Sequence, residues 1–291
     1  MLNIEEIKKI FRAEDLRILK SLGQNFLIDK TVLDKIVSAS DLNKNDVVIE
    51  IGPGLGTLTQ ELSARCRKVI AIEKDKKMAE TLINKIQNSK FKTLPAGRQV
   101  QNSIIINDDI LKINLDELLK KHAPDEKYKL ISNIPYYITS PIIKLFLEAE
   151  TKPELIVLLV QKEVAERICA KPGKLSILAL SVQIYGEPEI VSFVDKSAFY
   201  PEPKVDSAIL KIKNIKNSAT SRVAKDNHKN LFRIIKIGFS SKRKKLLNNL
   251  SAGLNISKQE TAKILSSADI SLNARAQELR LEDWEKLEEM I

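Results

Sequence analysis

A doubly wound, mostly parallel α/β sheet followed by a smaller all-helical domain is the fold this sequence predicts, on three observations. Apolar strand-like runs alternate with segments of helical period from residue 46 to residue 213. The first of those runs ends in a glycine-rich turn, "EIGPGLG" (residues 50–56), where such sheets open a ligand crevice. Beyond residue 213 the chain is first polar and aperiodic, then helical in pattern, with no convincing strand.

Each element follows from its pattern. Residues 1–40 read as helical, and "TVLDKIVSAS" (31–40) sets Val32, Leu33, Ile36 and Val37 on one face. "DVVIEIGPGLGTLTQELSARC" (46–66) reads as strand, glycine turn and helix. "KVIAIEKD" (68–75) is a second buried strand, and "KKMAETLINKI" (76–86) a second helix. "SIIINDDIL" (103–111) and "YKLISNIPYY" (128–137) carry the third and fourth strands. "PIIKLFLEAE" (141–150) is a helix, and "LIVLLVQKEVAERI" (155–168) a strand running into another. "EIVSFV" (189–194) and "SAILKIK" (207–213) are two further strands. "TLPAGRQVQN" (93–102) exceeds what a short connection needs, and reads as an insertion or a functional flap. The expected division is a catalytic domain over 1–213, a linker over 214–226 and a helical domain over 227–291.

Composition narrows the function. With 291 residues and 43% hydrophobic content, the chain can bury a substantial core. Its first twenty residues carry charge every few positions, which excludes a signal-peptide core or a membrane span there. Two distant cysteines and two histidines leave little for a soft-metal site, so a reduced, cytoplasmic, metal-free protein is expected. The net charge of +10 favours polyanionic partners. Residues 216–245 hold ten Lys or Arg against one acid, Asp226. In "HKNLFRIIKIGFSSKRKKLL" (228–247) the charges alternate with an apolar stripe. That pattern suits a phosphate-contacting surface, including Arg243, Lys244 and Lys245, or else a solvated helix face.

The glycine turn lacks both phosphate fingerprints. Counting from Gly52 and Gly54 puts Thr57 where a dinucleotide loop needs its third glycine; counting from Gly54 and Gly56 puts Thr59 there. No Gly-Lys-Ser/Thr follows, so NAD and ATP are disfavoured. Glu73 ends the second strand, where a carboxylate can accept from both ribose hydroxyls of an adenosine cofactor; the alternative is an ordinary solvated acid. Asp109, after the third strand, is placed to accept from an adenine amino group, with Asp108 as its rival. A glycine loop without pyrophosphate features, with acids closing two strands, suits S-adenosylmethionine.

"KLISNIPYYITSPI" (129–142) holds an amide, Asn133, and an aromatic ring, Tyr136, where the fourth strand runs out against Pro135. "NIPY" (133–136) resembles the signature of methyltransferases acting on the adenine amino group. Together with "GQNFL" (23–27), "EIGPGLGTLT" (50–59) and "FYPEPKVDSAIL" (199–210), it resembles the ribosomal RNA adenine dimethyltransferases from about residue 22 to the C-terminus. The resemblance implies a Rossmann-like class I methyltransferase fold. It implies cofactor contacts from Asn25, Leu27, Gly52, Glu73, Asp109 and Asn133. It further implies that Asn133 and a backbone carbonyl, Ile134, hold the two protons of the target amine, aiming its lone pair at the methyl donor. Tyr136 would stack on the extracted base and Phe199 close its other side; core packing is the alternative for both rings. The implied activity is dimethylation of two adjacent adenosines near the 3′ end of small-subunit ribosomal RNA, by a monomer acting on an immature subunit and no membrane. Large-subunit RNA is the alternative substrate, and an assembly factor that binds RNA without methylating it the alternative class.

Overall fold

The computed structural model describes residues 1–19, 22–87, 102–124, 127–216 and 222–291. In chain order the elements are α1 (Ile4–Ala13), β1 (Phe26–Leu27), α2 (Lys30–Ala39), β2 (Val47–Ile51), α3 (Thr57–Ser63), β3 (Lys68–Glu73), α4 (Lys76–Gln87) and β4 (Ser103–Asn107). They continue with α5 (Leu115–His122), β5 (Tyr128–Asn133), α6 (Thr139–Leu147), β6 (Leu155–Gln161), α7 (Lys162–Ile168), α8 (Ile177–Gln183), β7 (Glu187–Val194), β8 (Phe199–Tyr200) and β9 (Ser207–Lys213). The C-terminal helices are α9 (Arg222–Gly238), α10 (Leu246–Leu254), α11 (Lys258–Ser267) and α12 (Leu281–Met290).

Seven strands form one sheet in the order β4-β3-β2-β5-β6-β9-β7. β4 to β6 run parallel, whereas β9 is antiparallel to both of its neighbours. The near-continuous apolar runs of β2, β3, β5 and β6 reflect burial on both faces of a parallel sheet. Helix starts follow local chemistry: Asp29 accepts from the Thr31 and Val32 amides to cap α2, and Asn114 caps α5 through the Glu117 amide.

The strand order reverses direction between β2 and β5, and there the sheet opens. Backbone pairing between them stops at Ile49 and Leu130. Beyond it the Ser132 hydroxyl accepts from the Ile51 amide at 3.1 Å and donates to the Ile51 carbonyl, so the strands part with no orphaned backbone group at Ile51.

The structure revises several sequence expectations. No α-helix lies among the described residues of 14–29: Phe26 and Leu27 pair as β1 with Tyr200 and Phe199 in a separate two-stranded sheet, and the helix after "GQNFL" starts only at Lys30. Helices α5 and α8 were not anticipated. Residues 222–226, expected in a linker, lie in α9. Residues 217–221, and nearly all of the 93–102 segment, fall outside the described residues.

Two compact units emerge, and they are not contiguous: Met1–Ala165 with Glu187–Ile215, and Glu166–Gly186 with Lys216–Ile291. Expectation gave residues 1–213 to one domain and 227–291 to the other, with a linker between; here residues 166–186 group with the C-terminal helices. Tyr185 meets Phe232 at 6.4 Å between ring centroids, and Lys216 donates its amide to the Tyr185 carbonyl at 2.9 Å. The second unit has its own core, in which the fully buried Trp284 stacks on Phe239 at 5.8 Å. Among the described residues no helix is long and apolar enough to cross a membrane.

One ion pair in the first unit is nearly closed to solvent. Lys129 Nζ on β5 lies 2.8 Å from Asp46 Oδ2, with side chains 10% and 11% exposed. Asp46 also accepts from the Asn43 amide and side chain, so it keeps donors if the lysine is removed. The lysine would keep only the Asp41 carbonyl. Asp46→Asn is therefore expected to cost about 3 kcal/mol in denaturant unfolding, the lower end for a stranded buried charge, and Lys129→Met less than about 1.5 kcal/mol. Equal costs would show that burial, not charge pairing, sets the energetics here.

Candidate active site

At the C-terminal ends of β2, β3 and β5, and beyond the end of β4, lies a cleft of about 1130 Å³, counting the solvent at its mouth. Asn25, Leu27, Gly52, Glu73, Asp109, Asn133 and Tyr136 all line it, which brings together seven of the eight residues singled out from sequence. Phe199 does not: it is 3% exposed and packs in the core with Leu27, Val194 and Ala198.

The glycine turn shapes one wall. Gly54 has φ +55°, and a Cβ there would meet the Phe26 ring at 3.2 Å. Gly56 has φ +79°, and a Cβ would lie 2.5 Å from Leu82 Cδ1. Neither position accepts a side chain without displacing its neighbour. The turn is tied to the next strand because the Gly54 amide donates to Glu73 Oε2 at 3.1 Å, while the Asp75 amide donates to Oε1 at 2.9 Å. Each carboxylate oxygen thus has one backbone donor and capacity for another. Burial pushes the Glu73 carboxyl up, and these two amides oppose that shift.

Asp109 sits just beyond β4. Its Oδ2 pairs with Lys74 Nζ at 2.9 Å and its Oδ1 accepts from the Leu111 amide at 3.1 Å, so the lysine holds its carboxyl below the usual range. Asp108 is exposed and accepts from the Asp109 amide, and it lines the cleft as well. On the opposite wall Asn133 Nδ2 donates to the Asn25 carbonyl at 3.2 Å, leaving Oδ1 as the amide's remaining acceptor. Asn25 turns its own amide back to the Gly23 carbonyl at 3.2 Å. Gln24 also lines the cleft, but its side chain is engaged by Asp75 and the Leu19 amide. Tyr136 occupies a 3₁₀ turn after Pro135, and its hydroxyl is 2.5 Å from Ser207 Oγ on β9.

Sequence reasoning missed Glu50. It is 2% exposed and lines the cleft, and neither its Oε2 nor Thr59 Oγ1 has a partner in hydrogen-bonding geometry among the described residues. Burial pushes its carboxyl up to about 8; the nearby Thr59 hydroxyl opposes that shift and the Glu73 charge adds to it. The signal was in the sequence: an acid inside "VVIEI", a strand apolar at every other position.

Four acids line the cleft, Glu50, Glu73, Asp108 and Asp109, against one lysine, Lys74, which is itself paired. With Glu50 protonated below about pH 8, the other three acids still outnumber Lys74, a balance that repels phosphates and suits a ligand with positive charge. Among the described residues no group of three His, Cys, Asp or Glu could hold a metal ion.

The Glu50 environment carries a pH signature. A folded carboxyl near 8 against an unfolded value near 4.3 means the folded state holds the extra proton between those values, so stability falls as pH rises from about 5 to 8. Glu73, also raised, acts with the same sign. Glu50→Gln should flatten the slope, by at most about 1.4 kcal/mol per pH unit for one proton. A pH series of unfolding midpoints with the same slope in both proteins would rule Glu50 out as its source.

The family model for ribosomal RNA adenine dimethylase matches residues 16–291. The ribosomal RNA small subunit methyltransferase A of Dehalococcoides mccartyi is 44% identical over 282 residues, which is 97% of this chain and 91% of the relative. Its counterpart from Alkaliphilus oremlandii is 37% identical, covering 96% and 94%. Among solved structures, a dimethyladenosine transferase from Plasmodium falciparum superposes with a TM-score of 0.72 at 26% identity, covering 90% of this chain and 95% of that one. The 23S rRNA methyltransferase ErmE does so at 0.69 and 28%, covering 91% and 98%. With a model match over nearly the whole chain and full-length relatives at this identity, the chain belongs to the ribosomal RNA adenine dimethylase family.

Proposed function

We propose that this chain uses S-adenosylmethionine to dimethylate the exocyclic amines of two adjacent adenosines near the 3′ end of small-subunit ribosomal RNA. The small-subunit choice rests on the full-length relatives bearing that name at 36–44% identity. The observation that carries the chemistry is the orientation of Asn133, whose Nδ2 is committed to the Asn25 carbonyl while Oδ1 remains to accept.

The fit to the cofactor rests on the cleft's own chemistry: an acidic lining, no phosphate loop, and a Glu73 carboxylate held by two backbone amides with a lone pair left on each oxygen. Glu73 would accept from the ribose hydroxyls and Asp109 from the adenine amine, and Asn25, Leu27 and Gly52 would shape the wall beside them. When bound, the cofactor supplies a methyl group on a positively charged sulfur. Asn133 Oδ1 and the Ile134 carbonyl accept the two protons of the target amine, drawing its lone pair out of the ring and fixing its direction. Tyr136 offers the ring on which the extracted base stacks, held in place through Ser207. The methylated nitrogen releases its surplus proton to water, so no strong base is required. Phe199 acts behind Leu27, its partner in the β1–β8 pair, and supports the wall.

In the second unit, Lys242, Arg243, Lys244 and Lys245 are all exposed on the turn between α9 and α10, and Lys245 Nζ also bonds Asn273 Oδ1 at 2.6 Å. Lys242, Arg243 and Lys244, on the side of the turn away from the Lys245–Asn273 bond in sequence, are the phosphate-binding groups we assign to ribosomal RNA, in a monomer acting on the immature subunit.

Methyl incorporation into immature small subunits, naked small-subunit RNA and large-subunit RNA tests the substrate. Transfer to the first and little to the last is expected; preference for large-subunit RNA, or RNA binding without transfer, overturns the reading. Asn133→Ala should slow single-turnover transfer by roughly 10²–10³, with RNA affinity little changed because phosphate pairing dominates it. Near-normal dimethylation by mass spectrometry would make Asn133 structural. Replacing Lys242, Arg243 and Lys244 with alanine should lower the slope of log affinity against log salt by about 0.7–0.9 for each phosphate that is no longer neutralised. An unchanged slope would return the turn to a solvated face.

A further inference from the structure

Tyr136 and Tyr137 are consecutive in a 3₁₀ turn, where successive side chains diverge by about 120°. Their environments differ accordingly. Tyr136 is half-buried, with its hydroxyl on Ser207, while Tyr137 is 54% exposed, the highest value for a large hydrophobic side chain among the described residues. Tyr137 is nonetheless not adrift. It lines the same cleft, and its ring backs onto the bare backbone of Gly23, where an added Cβ would sit 3.5 Å from Cδ1 and 3.7 Å from Cε1. A ring supported on one side and open on the other, at the mouth of a cleft, is an arrangement suited to stacking.

We propose that Tyr137 is a positioning residue, the platform on which the base next to the target adenosine stacks. The inference rests on the reading of the cleft as an adenosine methylation site. A target base extracted onto Tyr136 gives up its stacking with its neighbour, so the neighbour is left with an unpaired face at the cleft mouth. Two rings splayed from one turn match two consecutive bases splayed from one strand. Where both adjacent adenosines are substrates, the one waiting occupies Tyr137 while the other reacts.

The test uses the full chain and a fragment from the 3′ end of small-subunit ribosomal RNA, with 2-aminopurine replacing one of the two adenosines. That analogue has no 6-amino group, so it marks the neighbour and cannot be the target. Wild type and Tyr137→Phe should quench its fluorescence on binding, and Tyr137→Ala should not. Tyr137→Ala should also weaken RNA binding by about 5- to 150-fold, the range for removing one base–aromatic stack, with S-adenosylmethionine affinity unchanged. A melting curve matching wild type separates this from misfolding, and Tyr137→Phe supplies the rescue. Methyl transfer by the wild type, together with unchanged quenching and RNA affinity in Tyr137→Ala, overturns this inference alone. No transfer by the wild type to any ribosomal RNA overturns the reading of the cleft, and this inference with it.

Discussion

The hydrogen bond from the Gly54 amide to Glu73 Oε2 is the interaction on which the rest of the catalytic unit depends. It joins the end of β2 to the end of β3 across a turn that only glycines can make, and it aims a buried carboxylate along the cleft. Asp75 completes that carboxylate's support with its own amide and caps the following helix through the Met78 amide. A single short segment therefore sets the turn, the acid and the start of α4 together. Moving any one would move the others, because close-packed protein interiors transmit strain.

On the other side of the crevice the Ser132 hydroxyl has a comparable role. By taking both backbone groups of Ile51, it lets β2 and β5 part just before Asn133, so the strand's last side chain stands at the cleft's edge. Asn133 is then held from outside its own strand by the Asn25 carbonyl, and Tyr136 by Ser207 of β9. Four separate stretches of chain thus fix the proposed amine-binding and stacking groups. This is the rigidity that preorganised polar catalysis requires, since the proposed chemistry uses alignment in place of a strong base.

Much of this was legible in the sequence because parallel strands announce themselves. "VVIEI", "VIAIE" and "LIVLLV" are apolar runs that only two-sided burial explains, and the turn after the first places the crevice. What was not legible depended on distant partners. Phe26 and Leu27 are too short a run to show as a strand until Phe199 and Tyr200 arrive beside them. The same pairing draws Phe199 into the core, where a local motif suggested a place in the cleft. Residues 166–186 join the C-terminal helices through hydrogen bonds such as that from the Gly173 amide to the Gln277 carbonyl, a separation no local pattern can reveal. Glu50 was readable and overlooked: an acid in a strand buried on both faces must end up inside, and next to a glycine turn it ends up lining the cleft.

Recognition of an adenosine cofactor without phosphates by a backbone-held carboxylate in an acidic cleft is tested most directly by calorimetry, titrating S-adenosylmethionine into wild type and Glu73→Ala. Saturable binding by the wild type is expected, with the variant weaker by about 1.5–3 kcal/mol, the scale of a charged acceptor of hydrogen bonds. Equal affinity in the two proteins, or wild-type heat with NAD and none with S-adenosylmethionine, would contradict it.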